Sequence, residues 1–201
     1  MSKQIIVTEV EVKAALEVAK SQEVKDVLAA LFCKPENKPN LDDYKSIKTY
    51  EDACVALDEE TPDFEALKAA GVPAHQIALM KLETISRALW GKNWEPKPDA
   101  DGSNIMWYPW FALWTKQEIE DRKDQFNGAL LSAFASTGAG AGFGCLYASA
   151  RSSYARAYIG FRLCQETEEK AIYFGQQFIQ LWADYLAFNF TVGGNYFNQN
   201  K

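Results

Sequence analysis

Ten consecutive residues, Ile105 to Trp114, read Ile-Met-Trp-Tyr-Pro-Trp-Phe-Ala-Leu-Trp. Side chains this bulky favour a strand, and Pro109, which has no amide hydrogen to give a ladder, restricts that strand to an edge or a bulge. The residues before this run are punctuated largely as helices, and those after it largely as strands.

Upstream, Thr8 and Glu11 form a capping box ahead of Val12, Ala15, Leu16 and Ala19, which recur at the spacing of one helical face. Ser21 caps a second helix in which Val24, Val27, Leu28 and Leu31 repeat the pattern. Pro35 and Pro39 interrupt the periodicity, and the polar stretch from Lys34 to Ile47 reads as a linker. Thr49 caps a short helix through Leu57, and Thr61-Pro62 supplies an N-cap with proline at the first helical position, with Gly71 at the far end. Pro73 starts a helix whose Ala78, Leu82, Ile85 and Leu89 form a stripe ending at Gly91.

Downstream, Thr115 and Glu118 box a short charged helix running to Asn127-Gly128. Runs at Ala129 to Ala135, Phe143 to Ala148 and Tyr158 to Cys164 read as three strands. Thr167 caps a long last helix with Ala171, Phe174, Phe178, Leu181 and Tyr185 on one face. The expected fold is α+β: a helical N-terminal half, a small, mainly antiparallel sheet in the C-terminal half, and a long C-terminal helix covering it. Residues 1–33 are expected to be a helical N-terminal extension and residues 48–190 the α+β domain. Glycines at alternate places from Gly138 to Gly144 leave one strand face bare, and Phe174 and Phe178 are expected to pack into it.

Several chemistries lack their residues. His75 is the single histidine and opens a polar helix start, and no Gly-x-Ser-x-Gly elbow occurs. The glycine run has neither the dinucleotide spacing nor a Walker lysine. Cys33, Cys54, Cys145 and Cys164 have no partner at ligand spacing and sit in apolar runs, so they read as buried free thiols, with a Cys145–Cys164 pairing left open. The stretch Asp99 to Asn104 does not complete a calcium loop, since its twelfth position is Trp110. Glu166, Glu168 and Glu169 occupy a first helical turn, where carboxylates offset the helix dipole. No enzyme activity, cofactor or metal is expected. The short apolar run before Glu9 leaves no room for a secretory signal, and no apolar stretch is long enough for a membrane span. Residence in a host cytoplasm or in a virion, away from membranes, is the expectation.

Charge singles out one region. Residues 1–128 carry 16 Lys and Arg against 23 Asp and Glu, whereas residues 129–201 carry 5 against 4. Between 129 and 162 the only charges are Arg151, Arg156 and Arg162, within the stretch Tyr147 to Arg162 that is rich in Tyr, Ser and Arg. This is the composition of adaptable binding surfaces. The candidate ligand-binding residues are Tyr147, Arg151, Tyr154, Arg156, Tyr158, Trp107 and Trp110.

The order of motifs resembles a family of small uncharacterised proteins of gut Bacteroides-type bacteria and their phages. The likeness is carried by Lys48-Thr49-Tyr50-Glu51-Asp52-Ala53-Cys54, Ala88-Leu89-Trp90 with Trp94, Trp107-Tyr108-Pro109-Trp110-Phe111, Gly142-Phe143-Gly144, Gly160-Phe161-Arg162-Leu163-Cys164 and Tyr173-Phe174-Gly175-Gln176-Gln177-Phe178. Within Ser149 to Cys164 the chain is also similar to the end of formylglycine-generating-enzyme-like, C-type-lectin-like domains, which include variable binding proteins of phages. Together the residues and these resemblances lead to an expected non-enzymatic phage or mobile-element protein with protein partners, virion components among them. The alternative is a single-stranded nucleic-acid binder in phage replication or defence, with Trp107, Trp110, Tyr154 and Arg156 stacking on bases and pairing with phosphates.

Overall fold

The computed structural model describes residues 14–15, 17–21, 23–25, 27–28, 38–93, 102–135, 141–152, 161–187 and 190–199. The chain divides into two compact units, Met1–Lys38 and Pro39–Lys201. In the first, residues 14–15, 17–18, 23–25 and 27–28 are helical. Ser21 Oγ accepts from the Val24 amide at 3.3 Å, the cap expected from the sequence, while the Thr8–Glu11 box lies outside the described residues.

The second unit opens with a 3-10 turn, Tyr44–Ser46, and then α1, Tyr50–Leu57, which starts at a reciprocal capping box between Thr49 and Asp52. Helix α2, Phe64–Ala69, is capped by Asp63 rather than by Thr61-Pro62. The Asp63 carboxylate accepts from Ala66 N at 2.9 Å, and its charge also suits the positive end of the helix. Helix α3, Ala74–Trp90, runs from Pro73 to Gly91 and buries Ile77, Ala78, Leu82, Ile85, Ser86, Ala88 and Leu89.

Strand β1 is Ile105–Trp114, followed by the boxed helix α4, Lys116–Arg122, and a 3-10 turn, Lys123–Phe126. Strands β2, Leu130–Ala135, and β3, Gly142–Ser152, come next. The covering helix is present in two segments, α5, Glu168–Gln177, and α6, Ile179–Leu186, which meet at Phe178 with φ −109° and ψ 28°. Strand β4, Phe190–Asn195, and the short α7, Tyr196–Gln199, end the described chain. The strands lie in the order β1-β3-β2-β4, and each adjacent pair is antiparallel. Pro109 thus sits on an edge strand, where its missing donor is tolerated.

Two further expectations differ from the structure. Phe161 to Cys164 do not form a strand: Cys164 N bonds back to Phe161 O at 3.3 Å in a turn, and residues 158–160 lie outside the described set. The turn delivers Gln165 to the outer edge of β1, where its amide and carbonyl pair with those of Trp107 at 2.8 and 2.9 Å. The second correction concerns the glycine-bearing strand. Phe174 and Phe178 lie in the large core beneath α1, α3, α5 and α6, with Phe143 and Trp182. Gly142 and Gly144 sit instead against the smaller cluster of Trp114, Ile119, Phe126, Leu130 and Leu146. A Cβ on Gly144 would lie 2.7 Å from Leu130 Cδ1 and 2.9 Å from Phe126 Cε1. The bare face admits side chains from α4 and the turn after it, not from the covering helix.

The close approach of helix and sheet is made by a glycine in the helix. A methyl on Gly175 would fall 2.5 Å from Cys145 Sγ and 2.9 Å from Pro109 Cβ. Gln176 fastens the same contact, its amide donating to Cys145 O at 3.0 Å and Gln125 O at 3.1 Å.

Candidate functional site

Beyond the three residues at which β3 pairs with β2, β1 and β3 continue as a two-stranded ribbon, from Trp110↔Tyr147 to Ile105↔Ser152. The register shifts between Trp110 and Phe111, which pair with Tyr147 and Cys145, so Leu146 is the extra residue of a bulge. A bulge breaks the alternation of side chains and re-aims them. Cys145 therefore packs under Gly175, while Leu146 joins the smaller cluster and Tyr147 reaches Trp114.

The result is a group of three rings. The Trp110–Trp114, Trp110–Tyr147 and Trp114–Tyr147 centroids are 6.0, 6.2 and 6.2 Å apart. Trp114 is the fixed member: it is buried, its Nε1 donates to Gly144 O at 3.0 Å, and Phe126 meets it edge-on at 5.6 Å. The Arg122 guanidinium lies 5.8 Å from the Trp114 ring, within cation–π range. Trp110 and Tyr147 are each 45% exposed. Two large rings are thus held on paired strands beside a bulge, against a buried third, with much of their surface facing water.

Of the sequence candidates, the structure brings Trp110 and Tyr147 together. Trp107 is half-buried and is fixed through its backbone by Gln165. The Arg151 backbone pairs with Met106 further along the ribbon. Tyr154, Arg156 and Tyr158 lie outside the described residues. Trp114 and Arg122 were not among the candidates. The signal for Trp114 was its spacing of four from Trp110, which returns a strand to the same face.

The remaining chemistry-bearing groups have structural surroundings. His75 is exposed in the first turn of α3. Thr167 caps α5 with Glu168 and Glu169 in its first turn, and Glu166 ion-pairs with Lys170, whose ammonium also donates to Trp90 O at 3.0 Å. Cys54, Cys145 and Cys164 are free and buried, so Cys145 and Cys164 are not bonded to each other. Burial pushes both of the latter thiols up to about 12, which leaves them protonated at neutral pH and poorly nucleophilic. Ser86 and Gln165 form a buried polar link between α3 and the edge of the sheet, with Gln165 Nε2 donating to Ser86 Oγ at 2.9 Å. Among the described residues, no group of three His, Cys, Asp or Glu is arranged to hold a metal ion, and no helix is long and apolar enough to cross a membrane.

No family model, curated protein or solved structure matches the chain.

Proposed function

We propose that the chain is a non-enzymatic binding protein of a phage or mobile element, and that the Trp110–Tyr147 face of the ribbon contacts a protein partner, a component of the virion. One observation carries this reading: two cross-strand aromatic residues, each 45% exposed, are backed by the buried Trp114. Large rings on a rigid backbone lose little conformational freedom on binding, and such residues dominate interface energetics. The resemblance to proteins of gut bacteria and their phages supports the context, with the host cytoplasm as the site of action before assembly.

Mass spectrometry of purified particles from a host that encodes the chain tests the proposal. The chain is expected in the particles, and the Trp110→Ala/Tyr147→Ala variant is expected to be left out of them. Absence of the unaltered chain would overturn the virion assignment.

A second reading, single-stranded nucleic acid as the partner, is favoured by Arg122 over the Trp114 ring and by the absence of any carboxylate from 129 to 162. Stacked bases and paired phosphates suit such a surface. Titrating tryptophan emission with an oligonucleotide at two salt concentrations discriminates between the two. A response that weakens steeply with salt would favour nucleic acid.

A further inference from the structure

We propose that the outer edge of β1, from Pro109 to Leu113, takes an extended, uncharged segment of the protein partner as an added antiparallel strand. This rests on the reading of the Trp110–Tyr147 face as a protein contact, and it names the form of the partner that meets that face. Two sets of bonds fix which way the backbone of β1 points. Trp107 exchanges both of its bonds with Gln165 on the outer side, whereas the Trp114 carbonyl accepts from Ala141 N at 2.6 Å on the side of β3. Backbone groups alternate along an antiparallel strand, and β1 carries no extra residue between these points, because the bulge lies in β3. Pro109, Phe111 and Leu113 therefore turn their backbone groups outward, as Trp107 does. Strand β1 ends the sheet on this side, and among the described residues no hydrogen bond from outside the sheet reaches the Phe111 or Leu113 backbone. A row of this kind is a template for one more strand. Gln165 on Trp107 and the missing amide of Pro109 bound the row at one end, and the start of α4 at Thr115 bounds it at the other.

The neighbouring side chains specify the segment. Phe111 and Leu113 pack against the large core, so an added strand meets these residues through their backbone. The added residue opposite Trp110 falls on the same face as the Trp110 ring, at a position without ladder bonds, where antiparallel side chains come closest. An apolar side chain there covers part of a ring that is 45% exposed. Neither Ile105–Trp114 nor residues 129–150 contain a Lys, Arg, Asp or Glu, so an uncharged segment meets no unpaired charge on these strands. A phosphate backbone, which binds through cations, finds none on them.

Peptides selected against the full chain from a displayed library of random linear sequences are the probe. They are expected to alternate apolar with uncharged polar residues and to lack proline. In the free chain the Phe111 and Leu113 amides are expected to exchange hydrogen faster than that of Ala112, and the bound peptide is expected to slow both. N-methyl groups placed at successive peptide residues are expected to alternate between a loss of at least about tenfold in affinity and none, since every second amide of an added strand serves the ladder. Trp110→Ala is expected to weaken the same peptides. Failure to select any peptide, or a methylation profile without this period of two, would overturn strand addition. A peptide that needs Trp110 and Tyr147 but shows no alternation would overturn strand addition and leave the aromatic contact standing. Alternation together with absence of the chain from particles would uphold strand addition and overturn the virion assignment alone. Slowed exchange at Phe111 and Leu113 on concentrating the chain by itself, or on adding oligothymidylate, would give the edge to a second copy or to nucleic acid and overturn the proposal as well.

Discussion

Gly175→Ala is expected to destabilise the protein, although the same change in an open helix gains about 1 kcal/mol of helix propensity. Gly175 lies within α5, and an added methyl would sit 2.5 Å from Cys145 Sγ, 2.9 Å from Pro109 Cβ and 3.0 Å from Cys145 Cβ. Carbon atoms in contact ordinarily stay about 3.5 to 4.0 Å apart. Neither neighbour yields easily, because Cys145 is fully buried beside the bulge and Pro109 belongs to the strand itself. Relief requires α5 to lift from the sheet. Overpacking of this kind costs about 1 to 3 kcal/mol, which set against the propensity gain leaves a net loss of up to roughly 2 kcal/mol. Urea unfolding followed by tryptophan emission reads this out. With a slope of about 2 kcal/mol per molar, the midpoint should fall by up to roughly 1 M. Cys145→Ala removes the nearest obstacle, so the double variant should lose less than the two single losses added together. A raised midpoint for Gly175→Ala, or strict additivity with Cys145→Ala, would refute helix–sheet contact at this glycine.

Further outcomes follow from the same packing. Cys145 and Cys164 should resist a thiol reagent in the folded chain at about pH 8 and react once the chain is unfolded in urea, since only thiolates attack. Because burial raises both thiols from the ordinary 9.0 to about 12, the unfolded chain releases protons that the folded chain still holds. Their contribution to stability is therefore full below pH 9 and is lost as pH rises toward 12, which urea midpoints on either side of pH 9 will measure. Trp114→Phe keeps a ring but removes the donor to Gly144 O, and losing that hydrogen bond should cost about 0.5 to 1.5 kcal/mol in the same unfolding assay.

Helix starts were legible because capping is local chemistry: Thr49, Pro73, Thr115 and Thr167 each stand where a helix begins. The edge position of β1 was legible too, since Pro109 cannot serve a central ladder. What sequence reasoning missed depends on distant partners. Nothing near Gly142 and Gly144 says which side of β3 they face, because that is decided by Leu130 and Phe126 arriving from β2 and the turn after α4. The apolar run ending at Cys164 resembles a strand by composition, but Gln165 takes the pairing to Trp107 while Phe161 to Cys164 turn. Strand β4 escaped notice because Gly193 and Gly194 depress its strand propensity, which pairing with β2 overrides. At the candidate site, Trp110 and Tyr147 stood out as aromatic residues, whereas their partnership rests on a one-residue bulge at Leu146 that no local pattern marks.

Trp110 and Tyr147 have a contact role only if the fold does not rely on them for its core. Comparing the unfolding free energies of Tyr147→Ala and Phe174→Ala tests this most directly. Phe174 is fully buried among Phe178 and Trp182, and emptying such a site costs about 3 to 5 kcal/mol. Tyr147 is 45% exposed and meets Trp110 across the strands, a pairing worth up to about 1 kcal/mol. The predicted result is a loss for Tyr147→Ala several-fold smaller than that for Phe174→Ala. Equal losses would make the ribbon's aromatic face part of the core and would contradict its assignment as a binding surface.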